Sequence, residues 1–205
     1  MANRNFINDD FLLTNQASRN LYHEYAAKMP IIDYHCHLPP EEIANDKTWS
    51  TITEVWLDGD HYKWRAMRSN GVDENYVTGD ASHWDRFSNW AETMPKLIGN
   101  PLYHWNQLEL ARYFNVFDLL GPSSAEKIYS QCNELLGKDG LSSRKLIEQS
   151  NVKVICTTDD PCDTLEHHEK INTDSTIKCK VIPAWRPDKA MMLDKGKDFI
   201  SWVSL

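Results

Sequence analysis

No stretch of the sequence approaches the roughly 18 consecutive apolar residues that a membrane-spanning helix needs, and the opening residues, MANRNFINDD, lack the apolar core of a secretory signal. The expectation is a soluble, cytoplasmic protein with no membrane partner. Basic runs are also missing: the formal net charge is -8, so nothing draws the chain toward phosphates, and no nucleic-acid partner is expected. The five cysteines (Cys36, Cys132, Cys156, Cys162, Cys179) form no CxxC pair. They fit reduced thiols and predict no structural disulfide. There is no internal repeat and no low-complexity linker. What remains is ordinary globular material: 205 residues, 41% hydrophobic and 25% charged, with 8 Trp, 8 Tyr and 6 Phe, enough apolar side chain for a sizeable core.

Apolar residues at helical spacing (Leu21, Tyr22, Tyr25, Ala26, Met29) predict an amphipathic helix over 14–29, stopped by Pro30. The short run Ile31–His37 has the length and β-branched content of a buried strand, closed by Pro39 and Pro40. From there to Asn151 only helix signals stand out. Ser82 with Asp85 starts one helix, with Trp84, Phe87, Trp90, Ala91 and Met94 on one face; Pro122 followed by Ser123-Ser124-Ala125-Glu126 has the pattern of a capping box for another, ending at Gly137. Strand character returns at Val152–Thr158 and Lys178–Trp185, with a helical stretch near Thr164–Lys170 between them. Two strands joined by a crossover helix make a βαβ unit, so the fold class is α/β, and the residues to watch are those that end each strand. These are His35-Cys36-His37, Thr158-Asp159-Asp160 and Trp185-Arg186-Pro187-Asp188. Three strands cannot close a barrel, which takes about 250 residues. The chain reads as part of a larger α/β domain.

Alternation along a strand puts His35 and His37 on one side, with Asp33 on the same face and Cys36 on the other. Two neutral imidazoles at a strand end can hold a zinc-like divalent metal, although they can also be a pair of polar residues at a sheet edge. His61-Tyr62-Lys63-Trp64-Arg65 reads by composition as an aromatic, basic turn of a solvent-facing helix. Arg186 could fork two hydrogen bonds to a carboxylate, or form a salt bridge with Asp188 or Asp160. Trp185 reads as core or as a surface on which a sugar could pack. Asp159 and Asp160 suggest one orienting group and one cap for the next helix. His104, His167 and His168 read as surface or core residues, and Cys36 and Cys156 as small buried hydrophobes.

The string Ile31-Ile32-Asp33-Tyr34-His35-Cys36-His37-Leu38 resembles the first-strand metal motif of the amidohydrolase superfamily. Four further strings, in order along the chain, resemble uronate isomerases in particular: Glu54-Val55-Trp56-Leu57 leading to HYKWRAMR and Asn70-Gly71-Val72; Asn100-Pro101-Leu102-Tyr103-His104-Trp105; Cys156-Thr157-Thr158-Asp159-Asp160-Pro161; and Pro183-Ala184-Trp185-Arg186-Pro187-Asp188. The resemblance implies the N-terminal part of a (β/α)8 TIM barrel, its first three strands, with residues 41–150 as a large helical insertion after the first. It implies an aldose–ketose isomerase that interconverts D-glucuronate with D-fructuronate and D-galacturonate with D-tagaturonate, using one divalent metal, zinc above all. His35 and His37 are then metal ligands. His61 and Tyr62 face the sugar acid as catalytic groups, Tyr62 serving in proton transfer or in stabilising the enediolate, while Arg186, Trp185 and Arg65 bind substrate. At full length a homo-oligomer is expected.

The family also uses a histidine and an aspartate from the middle of the barrel and an aspartate after its last strand, and none can be placed in this sequence. Two histidines alone leave a metal under-coordinated, so a truncated enzyme is expected. Two rivals stay open. One is a metal-dependent hydrolase of the same superfamily, which shares the His-x-His pair. The other is a noncatalytic fragment or sugar-acid binder, whose exposed sheet edges would favour self-association.

Overall fold

A computed structural model of the chain describes residues 5–137 and 140–204. In chain order the elements are α1 (Gln16–Asn20), β1 (Ile31–Cys36), α2 (Pro40–Ala44), α3 (Ile52–Leu57), α4 (His61–Ser69), α5 (Glu74–Val77), α6 (His83–Thr93), α7 (Pro101–Phe114), α8 (Ala125–Gly137), α9 (Ser143–Gln149), β2 (Val152–Asp159), α10 (Glu166–Thr173), β3 (Lys180–Trp185), α11 (Asp188–Met191) and α12 (Lys197–Val203). They divide between two compact units, one formed by the residues up to Lys28 with Thr48–Ser142, the other by Met29–Lys47 with the residues from Ser143 onward.

The first unit is helical. Ser82 accepts the Asp85 N–H and starts α6 as its sequence predicts, and Phe87, Trp90 and Ala91 of that helix are fully buried. They pack with Trp56, Met67, Met94, Leu110, Ile128 and Cys132 from the surrounding helices. Burial of each large side chain here contributes roughly 2–3 kcal/mol. Buried Arg86 donates to Asp58 Oδ1 (2.9 Å), Leu57 O (3.0 Å) and Val77 O (3.2 Å), and so supplies partners to carbonyls at the ends of α3 and α5 that have none within their own helices. The start of α8 differs in detail from the capping box read in the sequence. The Ser124 hydroxyl turns back to donate to Leu119 O (2.6 Å) and accepts the Gly121 N–H (3.0 Å), tying the preceding loop to the helix. Of the predicted span 14–29, residues 16–28 are helical but uneven, with α1 followed by a wide π turn at Leu21–Tyr25 and a 3-10 turn at Ala26–Lys28. The predicted apolar face is present yet none of these turns buries a residue, because nothing in the described chain packs over Leu21, Tyr25 or Met29.

The second unit is built on a three-stranded parallel sheet in the order β1-β2-β3. The central strand buries one face, Ile155, Thr157 and Asp159, as the two-residue period demands. Expected as a buried strand, β1 instead lies at the sheet edge with Ile31, Ile32 and Tyr34 exposed, since only one neighbour pairs with it. Between β2 and β3 the chain crosses over through α10, whose Ile171 meets Ile43, Ala44, Ile155, Cys179 and Val181 in a small core.

A single guanidinium ties this unit together. Arg144 donates to Ile43 O (2.7 Å), Ala44 O (2.7 Å) and Asp174 Oδ2 (2.9 Å), satisfying the carboxyl end of α2 and pinning the turn before β3. Removing it leaves two carbonyls and a carboxylate short of a donor, and hydrogen bonds from a charged group are worth about 1.5–3 kcal/mol each. Arg144→Met should lower the unfolding free energy by roughly 3 kcal/mol in urea titration. Arg144→Lys should recover less than half of the loss, because one ammonium cannot span the fork.

Candidate functional site

Parallel pairing sets Cys36 beside Thr157, after a register shift between Asp33 and Cys36, and Asp159 beside Trp185, so the carboxyl ends of all three strands share one edge of the sheet. His35 and His37 extend from the end of β1 on the same side. Their Nε2 atoms lie 3.0 Å apart and their rings cross at 77°. As a hydrogen bond this contact needs one ring to donate and the other to accept. The same spacing is close to the roughly 3.3 Å between adjacent nitrogens of a tetrahedral zinc with bonds of about 2.0 Å. The pair therefore fits two positions of a divalent-metal site. Among the described residues no third His, Cys, Asp or Glu joins them. Asp33 on the same strand accepts the His35 backbone N–H at 3.3 Å. Between the histidines, Cys36 packs against the small core of Ile43, Ala44, Ile155, Ile171, Cys179 and Val181, and burial pushes its thiol up to about 11.

At the end of β2 lies a buried polar network. Thr157 Oγ1 donates to Asp159 Oδ2 (2.7 Å) and contacts His168 Nε2 (2.8 Å) on α10. With its one proton given to Asp159, the hydroxyl accepts from His168, which fixes the Nε2–H tautomer. His168 Nδ1 is buried without a partner among the described residues. Asp159 and His168 border an open cleft of ≈ 300 Å³, also lined by Asp163, Glu166 and His167. Leu165 in this loop holds φ at 57°, a left-handed conformation that costs a branched residue about 1–2 kcal/mol. Asp160 turns aside to accept the Cys162 N–H (3.0 Å) and the Trp202 indole N–H (3.2 Å).

On β3, Trp185 is 76% exposed, so it is not the core residue its position suggested. Arg186 donates its backbone N–H to Asp159 O (3.0 Å) and its Nε to Asp188 Oδ2 (2.6 Å), the local ion pair that the sequence allowed. That pair is about half exposed and adds little stability.

The other predicted site residues lie in the helical unit, at the first turn of α4. Asp60 caps this helix, its Oδ1 accepting the N–H groups of Tyr62 (2.9 Å) and Lys63 (3.1 Å). The His61 and Tyr62 rings lie 4.4 Å apart, and the Arg65 guanidinium sits 5.5 Å from the centre of the Tyr62 ring. His61, Tyr62 and Arg65 thus form one exposed cluster; exposed His35 and His37 lie at the end of β1 and exposed Trp185 and Arg186 at the end of β3, with β2 between the two strands. Composition suggested that the whole HYKWR segment faces solvent, yet Lys63 is only 5% exposed. Its ammonium is 2.6 Å from Asp60 Oδ2 and 5.8 Å from the centre of the Trp56 ring. The four-residue spacing of Lys63 and Met67, the buried residues of α4, was the available signal. Partly buried Glu109 on α7 accepts hydrogen bonds from Asn106 Nδ2 (3.2 Å) and from the Trp56 side chain.

Burial pushes the Glu109 carboxyl above its ordinary value of 4.5, against the opposing pull of Lys63 and of these hydrogen bonds. Asp60 is drawn below its ordinary range: its burial acts upward, and the Lys63 charge together with the Lys63 and Tyr62 bonds outweighs it. For Glu109, the raised native pKa contributes stability that is fully present below 4.5 and is lost as pH rises through the native value. Glu109→Gln should therefore gain stability relative to the unaltered protein as pH rises across that window in chemical denaturation. A difference independent of pH would contradict this.

A family model for glucuronate isomerase matches residues 3–205. The uronate isomerase of Lachnoclostridium phytofermentans is 57% identical over 199 residues, 97% of this chain and 42% of the relative, and that of Cellvibrio japonicus is 54% identical over a similar span. The crystal structure of uronate isomerase from Thermotoga maritima superposes with a TM-score of 0.92 at 37% identity, covering 98% of this chain and 44% of that one. Glucuronate isomerase from Caulobacter crescentus, at 24% identity, shares the fold with a TM-score of 0.84. The chain spans less than half the length of the relatives it matches.

Proposed function

Since the chain belongs to the glucuronate isomerase family, we propose that it forms the N-terminal portion of a hexuronate isomerase that interconverts D-glucuronate with D-fructuronate and D-galacturonate with D-tagaturonate. In this reading β1 to β3 are the first three strands of a (β/α)8 barrel and residues 41–150 are an insertion after the first strand. His35 and His37 hold a divalent metal, zinc in our reading. The observation that carries the proposal is the convergence of two Nε2 atoms, 3.0 Å apart, at the carboxyl edge of a parallel sheet that also ends in Arg186, where α/β folds place their substrates.

Moving the carbonyl from C1 to C2 takes a proton from C2 and returns one to C1 through an enediol, with no net oxidation. A bound divalent metal would supply charge stabilisation for the oxygens of that intermediate. The chain's own groups do the rest. Arg186 binds the carboxylate at C6 through its guanidinium, releasing Asp188 as it does so. Trp185 offers an exposed apolar face to the sugar ring. Tyr62 carries a hydroxyl able to donate to the enediolate or pass a proton, with His61 beside it and Arg65 over its ring.

Aldose-to-ketose turnover of glucuronate and galacturonate, with metal content measured on the same sample, tests the proposal. The assay is run on the chain alone and with the unmatched remainder of a relative added as a second polypeptide. Turnover that needs a divalent metal and disappears in His35→Ala is expected. Hydrolysis of simple lactones or amides without isomerisation would favour a hydrolase, and neither turnover nor stoichiometric metal in either sample would overturn the proposal.

A further inference from the structure

The His61, Tyr62 and Arg65 side chains are exposed, and the ring and cation contacts among them do not anchor them to the core. Their placement is therefore set by the backbone of the first turn of α4. A nine-residue helix is marginal by itself, and its first amides depend on an outside acceptor. Asp60 is that acceptor, and its carboxylate is fixed at both ends: Oδ1 faces the Tyr62 and Lys63 amides, and Oδ2 is held by the Lys63 ammonium one turn along the same helix. Lys63 in turn is held over the Trp56 ring. Trp56 also hydrogen-bonds Glu109, which lies within electrostatic reach of both Lys63 and Asp60.

Burying an ammonium costs several kcal/mol unless it is well paired, and a buried ion pair is often no more stable than apolar side chains of the same shape. Methionine would fill the space over Trp56 without that cost, so stability does not account for a lysine there. What the charge adds is geometric, the orientation of the Asp60 carboxylate toward the two amides.

We infer that Asp60 and Glu109, both partly buried, form with buried Lys63 a positioning cluster that locks the first turn of α4, and through it His61, Tyr62 and Arg65, in the arrangement presented to substrate. The inference rests on the proposed substrate role of those three residues, but the ordering of the turn is measurable without turnover. Amide hydrogen exchange and thermal midpoint are compared in the unaltered chain, Lys63→Met and Lys63→Met/Glu109→Gln. In Lys63→Met the Tyr62 and Lys63 amides should exchange at least tenfold faster and the midpoint should fall. The double variant, which leaves no unpaired charge on α7 and keeps the test readable if the single variant fails to fold, should regain the midpoint without regaining slow exchange. Recovery of both, or unchanged exchange in either variant, would make the cluster ordinary core and overturn the inference. Loss of slow exchange with no hexuronate turnover in the unaltered protein would leave the positioning intact and count against the isomerase alone.

Discussion

Parallel pairing of the strands is the constraint from which the sheet-edge site follows. Strands that run in one direction must each be re-entered from the same end, so each connection crosses over the sheet and all the carboxyl ends collect along one edge. With Cys36 beside Thr157 and Asp159 beside Trp185, that edge gathers two imidazoles, a buried carboxylate and an arginine from segments some 120 and 25 residues apart in sequence, spans far longer than any hairpin would bridge. The two-residue period of β1 is itself broken before the histidines, since Asp33 and Cys36, three residues apart, pair with Ile155 and Thr157, two residues apart.

Several of the polar groups that this architecture buries have individual hydrogen-bond partners, while others, His168 Nδ1 and Asp160 Oδ2 among them, have none among the described residues. Arg86 and Arg144 each serve carbonyls at helix ends. Thr157 joins Asp159 to His168 beneath the sheet edge, and Asp60 and Lys63 neutralise each other under the exposed aromatic turn of α4. In both of the latter cases the buried network adjoins residues read as functional, where fixed geometry is worth more than the modest net energy of a paired charge.

Much of this was legible in the residues themselves. The short β-branched runs at Ile31–His37 and at Val152 mark strands, and Ser82 with Asp85 marks the start of α6. The His-x-His pair is visible in the sequence as two imidazoles near a strand end, and in the structure their Nε2 atoms lie 3.0 Å apart. Exposure was less legible. Ile31, Ile32, Tyr34 and the apolar side of the helical run at 16–28 look like core in sequence, and they are exposed because burial depends on what packs over a face, which local pattern does not specify. Lys63 misleads in the opposite direction, since composition assigns a lysine to solvent and only the Asp60 and Trp56 contacts explain its burial. The pairing of Thr157 with His168 was invisible for a similar reason, as it joins a strand to the crossover helix that follows.

A zinc titration of the chain, followed through the ring nitrogens of its 8 histidines by NMR, is the most direct test of the sheet-edge metal site. The His35 and His37 resonances should move together and ahead of the other six, and both responses should vanish in His35→Ala. Zinc that shifts His104 or His167 first, or that leaves the His35–His37 pair unmoved, would contradict the site.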